Sequence, residues 1–206
     1  MNEMKVIKSV CETDQEVLIN IKKLYLDDKQ PHLDPCYSKG NFYKKECNLF
    51  GDNFVMPQIK MDKSPQQDDV IKNDILNGIP IPDSSIGSII FDPPFMFGKH
   101  GKTDENIMCK RFTMFDNFHD LEKMYRKSLS EFYRILTKGG IVAFKCQDYT
   151  DSQTTLTHCY VYSWAVEYGF KAEDIFILLS KNRIWNSNLR QKHARKFHSY
   201  WFVFKK

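Results

Sequence analysis

The sequence predicts an α/β fold built on a doubly wound, mostly parallel β-sheet. The main observation is that segments with strand character alternate along the chain with segments whose apolar residues recur at helical spacing. A second observation is size, because 206 residues with 42% hydrophobic and 14% aromatic residues can bury one sizeable core. Sheets of this type bind ligands at the carboxyl ends of their strands, so a site is expected there.

The first half of the chain begins with a helix and continues with strands that end in acidic residues. The helix is predicted from "TDQEVLINIKKLYL", with Thr13 or Asp14 capping its start. In "HLDPCYSKGNFY" a short apolar stretch is followed by the acid Asp34 and then by a turn that contains Gly40. "FVMPQIKMD" predicts a strand ending at Asp62, and the polar "KSPQQDD" after it is a loop or a helix start. The next two strands are "IKND", ending near Asp74, and "SSIGSIIF", which stops just before Asp92.

The second half repeats the alternation. "DLEKMYRKSLSEFYRILTKGG" has helical spacing, and its two glycines at 139–140 are predicted to stop the helix. The elements after it are a buried strand "IVAFKCQD", a helix over about 154–168 that closes at Gly169, a strand "DIFILLS", an irregular stretch over 181–198 and a terminal strand "SYWFVFKK". Three aromatic residues of the helix predicted from "DLEKMYRKSLSEFYRILTKGG" are expected to pack in the core without belonging to a site: Tyr125, Phe132 and Tyr133.

Composition excludes several classes of protein. The six cysteines form no C-x-x-C pair, which argues against a zinc site and a disulfide framework and favours reduced thiols in the cytoplasm. The start of the chain lacks the apolar core of a signal peptide, and no stretch is apolar for long enough to cross a membrane. The formal net charge of +4 is too small to establish a polyanionic partner by itself.

The stretch "IIFDPPFMF" carries the most specific chemistry. The exocyclic amine of a nucleobase is a poor nucleophile, because its lone pair is delocalised into the ring. A carboxylate such as Asp92 can accept one N–H of that amine, and a carbonyl of Pro93 or Pro94 can accept the second. The prolines hold these groups in place before the substrate arrives, and Phe95 can stack on a base that has left its duplex. The motif therefore favours methylation of a flipped base.

The same motif resembles that of the S-adenosylmethionine-dependent DNA amino-methyltransferases, which act on adenine N6 or cytosine N4. Three further segments resemble this family: "LDPCYSKGNFY" its cofactor turn, "EFYRILTKGGIVAF" a later strand entry, and "RQKHARKFHSYWFVFKK" the ending of small phage-type and bacterial methylases. The likeness runs from about Leu18 onwards. It implies a class I methyltransferase fold, Rossmann-like, with a seven-stranded sheet whose last strand is antiparallel. It also implies S-adenosyl-L-methionine as cofactor, and the Asp form of the motif favours adenine.

The resemblance also implies roles for individual residues. The turn that would hold the methionine and sulfonium part of the cofactor contains Asp34, Pro35, Cys36, Tyr37 and Gly40. Asp62 would accept the ribose hydroxyls, and Asp74 would bind the adenine amine. The catalytic residues would be Asp92, Pro93, Pro94 and Phe95. One departure concerns the turn, where the family usually has two glycines and this chain has Ser38 at the first position.

Two segments are candidates for binding the substrate. The stretch 181–198 has no acid and suits phosphate contacts through its basic residues Lys181, Arg183, Arg190, Lys192, Arg195 and Lys196. The segment 98–118 follows the D-P-P-F turn and is too long for an ordinary connection, so it is a candidate lid over base and cofactor.

Each assignment has a purely structural alternative that the residues leave open. The D-P-P-F string can be a stiff strand exit, Asp34 a turn cap, Asp62 and Asp74 ordinary loop acids, and Phe95 a core residue. The basic stretch can be a solvated surface loop, and the long segment a disordered insertion.

The chain is expected to form one catalytic domain over residues 1–206 without a separate target-recognition domain. Its expected partner is DNA, with RNA as an alternative, and it would work in the cytoplasm of a bacterium or a phage-infected host without a membrane partner. Sequence recognition would come from the two loops, from a homodimer or from a specificity partner. The function expected first is adenine-N6 methylation, ahead of cytosine-N4 or RNA methylation. Other options are methylation of a non-nucleic amine or amide and a catalytically weak descendant that only binds nucleic acid.

Overall fold

The fold alternates strands and helices in the order that the sequence predicts. The computed structural model describes residues 6–43, 55–98, 114–150, 153–180 and 192–206. Its α-helices are α1 (Asp14–Tyr25), α2 (Phe118–Ile135) and α3 (Thr157–Glu167), and short 3₁₀ helices span Asn41–Tyr43 and Ile75–Asn77. Its strands are β1 (Val10–Cys11), β2 (Leu33–Asp34), β3 (Ile59–Asp62), β4 (Ile71–Lys72), β5 (Ile86–Phe91), β6 (Met96–Phe97), β7 (Met114–Phe115), β8 (Leu136–Cys146), β9 (Tyr149–Thr150), β10 (Thr154–Thr155), β11 (Lys171–Leu179) and β12 (His198–Lys205).

The main sheet has the strand order β1-β11-β12-β8-β5-β2-β3-β4. Strand β12 is antiparallel to both of its neighbours, and the other seven strands run in one direction. The predicted fold class is confirmed: a Rossmann-like, mostly parallel sheet with an antiparallel last strand, as the resemblance to class I methyltransferases implies. The sheet has eight strands in the described part instead of seven, because Val10–Cys11 pairs with the outer edge of β11.

Helix α1 starts where the sequence places its cap. The Thr13 hydroxyl oxygen accepts a hydrogen bond from the Glu16 backbone N–H at 3.1 Å, which satisfies one of the free donors of the first turn. Acidic residues occupy the first turn and Lys22 and Lys23 the last, so the side-chain charges oppose the helix dipole. The side chains of Val17, Leu18, Ile19 and Ile21 are buried against the sheet.

Helix α2 ends earlier than the sequence predicts. The glycines at 139–140 do not stop it, because Leu136 already has extended backbone and begins strand β8. The carbonyls of Arg134 and Ile135 accept hydrogen bonds from the N–H groups of Ser84 and Ser85, so the end of the helix is satisfied by a neighbouring loop. Helix α3 begins at Thr157, after the small strand β10, and Gly169 follows it with a φ of +94°.

Two apolar layers cover the two faces of the sheet. One face packs against α2 and α3, where the rings of Phe91, Phe132 and Phe144 meet edge to face at centroid distances of 4.8 Å. The other face packs against α1 and the rings of Tyr37 and Tyr43. Strand β5 is buried almost along its whole length, so the chain reaches solvent only after Phe91. In the described ranges no helix is both long enough and apolar enough to cross a bilayer.

Candidate active site

Four acidic residues stand at or just after the carboxyl ends of four neighbouring strands of the sheet. Asp34 ends β2, Asp62 ends β3, Asp74 follows β4 and Asp92 follows β5. These four strands are parallel neighbours, so their carboxyl ends lie side by side. The Cys36 thiol lies among the acids: burial raises its pKa, and Asp34, Asp62, Asp92 and Asp74 raise it further. The structure therefore places on one edge of the sheet the acids that the sequence selects one by one.

Asp34 is the most buried of the four, with 1% of its surface exposed. One carboxylate oxygen accepts from the Cys36 backbone N–H at 2.9 Å, and the other accepts from the Tyr43 hydroxyl at 2.8 Å. Burial raises the pKa of Asp34 to about 7, although both hydrogen bonds favour the charged form, and nearby Asp92 and Asp62 add to the increase. Asp34 thus fixes the start of the turn after β2.

The turn after β2 keeps a left-handed shape at two positions. Ser38 has a φ of +52° and Gly40 a φ of +58°. The Ser38 N–H donates to Asp62 Oδ2 at 2.8 Å, which ties the turn to the end of β3. A Cβ at Gly40 would lie 2.5 Å from the Tyr37 ring, so glycine is required there for ring packing. Serine therefore occupies the first glycine position of the family pattern in a conformation that glycine adopts more easily.

Two residues of this turn that the resemblance assigns to the cofactor are packed into the protein. Pro35 and Tyr37 are buried, and the Tyr37 ring stacks on the Tyr43 ring at a centroid distance of 5.2 Å. Their side chains support the turn from the core side. The backbone of the turn and the half-buried Cys36 remain at the carboxyl edge.

Asp62 and Asp74 organise the backbone around them. Asp62 accepts from the backbone N–H groups of Ser38 and Ser64, one on each oxygen. Asp74 does not end a strand, because β4 stops at Lys72; Asp74 instead caps the 3₁₀ helix by accepting from the Leu76 N–H at 3.1 Å. Its other oxygen lies 2.9 Å from Lys63 Nζ, and that hydrogen bond is the main reason why its pKa is lowered.

A groove of about 420 Å³ lies between α2 and the segment around the second 3₁₀ helix. Asn73, Asn77 and Gly78 line it from one side, and Lys127, Glu131 and Arg134 line it from α2. The Asn73 side-chain Nδ2 is buried and has no hydrogen-bond partner among the residues that the structure describes. This amide is a free donor beside the groove.

Asp92 is paired with a lysine from the neighbouring strand. Its Oδ2 lies 3.4 Å from Lys145 Nζ, and the same ammonium lies 2.9 Å from Asp14 Oδ1 in the first turn of α1. Asp14 Oδ1 also accepts from the Trp201 indole N–H at 3.1 Å. Burial raises the pKa of Asp92 and Asp14 raises it as well, whereas Lys145 acts in the opposite direction.

The two prolines after Asp92 are held by helix α2. Pro93 is buried, Pro94 and Phe95 are half-buried, and the Pro94 carbonyl accepts a hydrogen bond from the Tyr125 hydroxyl at 3.0 Å. Tyr125 is thus a core residue, as the sequence predicts, that also contacts the backbone of the D-P-P-F turn.

An aromatic group that the sequence analysis did not single out follows the turn. The Phe97 ring contacts the rings of Phe118 at 5.4 Å and Tyr149 at 4.9 Å between centroids. Phe97 lies in β6, which pairs with β7, so the two ends of the long segment are joined at this point. Residues 99–113 of the predicted lid lie outside the described part of the chain. The lid stays a prediction.

The basic stretch begins and ends at the same edge of the sheet. Strand β11 runs in the direction of β8, and the Ser180 N–H donates to the Phe197 carbonyl at 2.8 Å, which closes the connection to β12. Of its basic residues, Lys192 and Arg195 are exposed and Lys196 is half-buried. Three others lie outside the described residues: Lys181, Arg183 and Arg190.

Sequence reasoning missed Lys145, Asp14 and Trp201 as neighbours of the site. One signal was available, since Lys145 is a charged residue inside the otherwise apolar "IVAFKC", and a lysine in a buried strand needs a paired acid. Within the ranges that the structure describes, no three His, Cys, Asp or Glu side chains are grouped in a way that could hold a metal ion.

Comparison with known proteins gives structural likeness only. No protein-family model and no curated protein matches the sequence. A provisionally assigned DNA modification methylase from Thermus thermophilus, complexed with S-adenosyl-L-methionine, is 14% identical with a TM-score of 0.45, over 64% of this chain and 51% of its own. An S-adenosylmethionine-dependent methyltransferase from Archaeoglobus fulgidus is 12% identical with a TM-score of 0.46, over 94% and 95%. The cytosine-N4-specific PvuII DNA methyltransferase is 14% identical with a TM-score of 0.45, over 66% and 48%.

This chain thus spans about half the length of the Thermus protein, 51%, and of the PvuII enzyme, 48%. The identities and TM-scores do not assign a substrate. The fold class rests on the strand order and strand directions of this chain itself.

Proposed function

We propose that the protein transfers a methyl group from S-adenosyl-L-methionine to an exocyclic amine of a nucleobase in DNA, with adenine N6 as the favoured target. The observation that supports the proposal is the position of four acids at the carboxyl ends of four neighbouring parallel strands, one of them in a D-P-P-F turn. This position is where doubly wound sheets bind their ligands.

The donor chemistry of the cofactor fits this edge. S-adenosyl-L-methionine carries ammonium, hydroxyl and amine donors and a positive sulfonium, and carboxylates are acceptors with negative charge. Asp62 would accept the ribose hydroxyls and Asp74 the adenine amine, while the turn from Asp34 to Gly40 would hold the methionine part. Asn73, which precedes Asp74 in the sequence, has a buried side-chain Nδ2 without a partner among the described residues, and an adenine ring nitrogen is the type of acceptor that would satisfy it.

The D-P-P-F turn would hold the target amine. Asp92 accepts one N–H and a Pro-Pro carbonyl accepts the other, so that the nitrogen lone pair points away from the base ring. The Tyr125 hydroxyl fixes the Pro94 carbonyl, and this carbonyl keeps a second lone pair for the substrate. Phe95, half-buried beside the prolines, would stack on the flipped base.

When bound, S-adenosyl-L-methionine would supply an activated methyl group to the amine nitrogen, with its sulfonium leaving as a neutral thioether that keeps the electron pair of the broken carbon–sulfur bond. The nitrogen becomes positive during this step and then releases one proton. Asp92 stabilises the positive nitrogen and accepts that proton or passes it to water. The rest of the protein's contribution is alignment.

The experiment is transfer of a labelled methyl group to unmethylated DNA, followed by digestion to nucleosides and mass analysis. The proposal expects label in N6-methyladenine, and label in N4-methylcytosine would move the target to cytosine. Asp92→Asn should abolish transfer while cofactor affinity stays nearly unchanged. Asp83→Asn, at an acid that is 76% exposed, is the matched control and should keep activity. Cofactor binding without transfer to DNA or RNA would refute a nucleic-acid substrate.

A further inference from the structure

Lys145 lies between two acids beside the D-P-P-F turn. Its side chain, 13% exposed, places Nζ 2.9 Å from Asp14 Oδ1, 3.4 Å from Asp92 Oδ2 and 5.4 Å from the centroid of the Trp201 ring. Asp14 is fixed from the other side by the Trp201 N–H. Four separate elements, α1, β8, β12 and the turn after β5, thus meet at one ammonium group.

The charges of this group do not cancel. Two carboxylates share one ammonium, so one negative charge remains, and the shorter distance binds Lys145 more closely to Asp14 than to Asp92. Burial acts to lower the pKa of Lys145, but Asp92 and Asp14 outweigh burial and raise it above its usual value. Lys145 therefore stays a cation and is not a proton acceptor.

We propose that Lys145 is a positioning residue for the methyl transfer: it holds Oδ2 of Asp92 so that Oδ1 meets the target amine, while Asp14 offsets the charge of Lys145 so that the three groups together keep one net negative charge. This inference rests on the proposed function. Methyl transfer places positive charge on the amine nitrogen, and a net negative charge on the group of Asp14, Lys145 and Asp92 stabilises that charge. A lysine paired with Asp92 alone would cancel it.

Among the residues that the structure describes, the other titratable groups that interact with Asp92 are acidic or neutral. They are Asp34 on β2, Cys36 in the following turn and the hydroxyls of Tyr43 and Tyr125, all within electrostatic reach of Asp92. Asp34 is deeply buried and its own pKa is raised to about 7, so its charge varies near neutral pH. Lys145 is the cation of this set, and the charge of Asp14 reduces the electrostatic attraction between Lys145 and Asp92.

The test compares two variants that should shift the same titration in opposite directions. Lys145→Met removes the cation, so the pKa of Asp92 and the acid limb of the kcat profile should move up by about one pH unit. Asp14→Asn leaves Lys145 paired with Asp92 alone, so the pKa of Asp92 and the acid limb of the kcat profile should both move to lower pH. The plateau value of kcat should fall about tenfold, which is the effect of one pKa unit of altered charge interaction. Lys145→Arg should restore most of the wild-type profile.

Two measurements make the result independent of turnover. Titration of the Asp92 carboxyl carbon by ¹³C NMR reports its pKa directly in each variant, and cofactor affinity should be unchanged in all of them. Lys171→Met, at an exposed lysine that begins β11 on the opposite edge of the sheet, is the matched control.

Profiles of Lys145→Met and Asp14→Asn that both coincide with the wild type would overturn the role of Lys145 and leave the proposed function intact. Absence of methyl transfer in the wild type would instead refute the proposed function, and opposite NMR shifts would still support the coupling of Lys145 to Asp92. If Lys145→Met does not fold, Asp14→Asn and Lys145→Arg decide the question, and an unshifted Asp14→Asn titration then overturns the inference.

Discussion

At the scale of single residues, the site depends on conformations and charges that are unfavourable elsewhere. Ser38 has left-handed backbone, which costs an ordinary L-residue about 1–2 kcal/mol, and Asp34 is a carboxyl group with almost no access to water. Asp34 is the last residue of β2 and Ser38 lies in the turn that follows, where hydrogen bonds of the Ser38 N–H and of the Asp34 carboxylate fix the path of the chain. Unfavourable features that persist in one turn point to a functional constraint on that turn.

Ser38→Gly is expected to raise the free energy of unfolding by about 0.5–1 kcal/mol, because glycine removes the strain but loses more backbone entropy on folding. Urea unfolding of the variant and of the wild type measures the difference. Ser38→Ala keeps the Cβ and serves as control, so it should not gain stability. A Ser38→Gly protein no more stable than wild type would show that the turn is not strained.

Asp34 predicts a pH dependence of stability. Its pKa is about 7 in the folded protein and about 3.9 in an unfolded chain, so between these values only the folded state holds the proton. Stability from this group is therefore present at low pH and is lost as the pH rises from about 4 to 7, by up to about 1.4 kcal/mol per pH unit.

Urea unfolding across this pH range should show the loss in the wild type, and it should be absent in Asp34→Asn. The Asn side chain mimics the protonated acid, since it can accept from the Cys36 N–H and donate to the Tyr43 hydroxyl. Parallel pH curves for the two proteins would contradict the raised pKa of Asp34.

At the scale of elements, helix α1 connects the N-terminal part of the chain to the site. Its first turn contains both the cap residue Thr13 and the acid Asp14, which reaches Lys145. The sequence predicted this helix and its cap, because both are local patterns of neighbouring residues. It could not predict that Asp14 faces Lys145, since no local pattern relates residues that far apart in the chain. The same reason applies to Lys145 and Asp92, which are 53 positions apart.

Loss of the cap should weaken the helix. Thr13→Ala is expected to lower the free energy of unfolding by about 1 kcal/mol, and Thr13→Ser, which keeps the hydroxyl, should change it little. Thermal or urea unfolding of both variants tests this. Equal losses in the two variants would mean that the methyl group of Thr13 matters and its hydroxyl does not.

At the scale of the whole molecule, the parallel sheet explains why the fold class and the common position of the acids were predictable from the sequence. Alternation of strands and helices implies the sheet, the sheet places all strand ends at one edge, and the acids at those ends then form one site. The strand count and the end of α2 were not predictable in this way, because they depend on pairing with distant segments: β1 with β11, and Ser84 and Ser85 with the helix end.

The basic residues of the stretch between β11 and β12, at the carboxyl edge of the sheet, lead to a prediction about the binding of nucleic acid. Replacing Lys192 and Arg195 by Ala should weaken DNA binding for all sequences and reduce the slope of log K against log salt by about 1 for each phosphate that is no longer neutralised. Lys171→Ala, at the opposite edge, is the matched control. Fluorescence anisotropy with a labelled duplex at several salt concentrations gives both slopes. Unchanged affinity at low salt would exclude these two residues from the interface.

Strand β12 lies inside the sheet, between β11 and β8, although it is made of residues 198–205. The order in which the strands are synthesised therefore differs from their order in the sheet. A nascent chain that has emerged only as far as β11 presents two long apolar strands with unpaired edges, and such edges are templates for aggregation. Insertion of β12 is expected to be a late folding event that joins the outer pair of strands to the strands of the site, and Trp201 on that strand would report it by fluorescence.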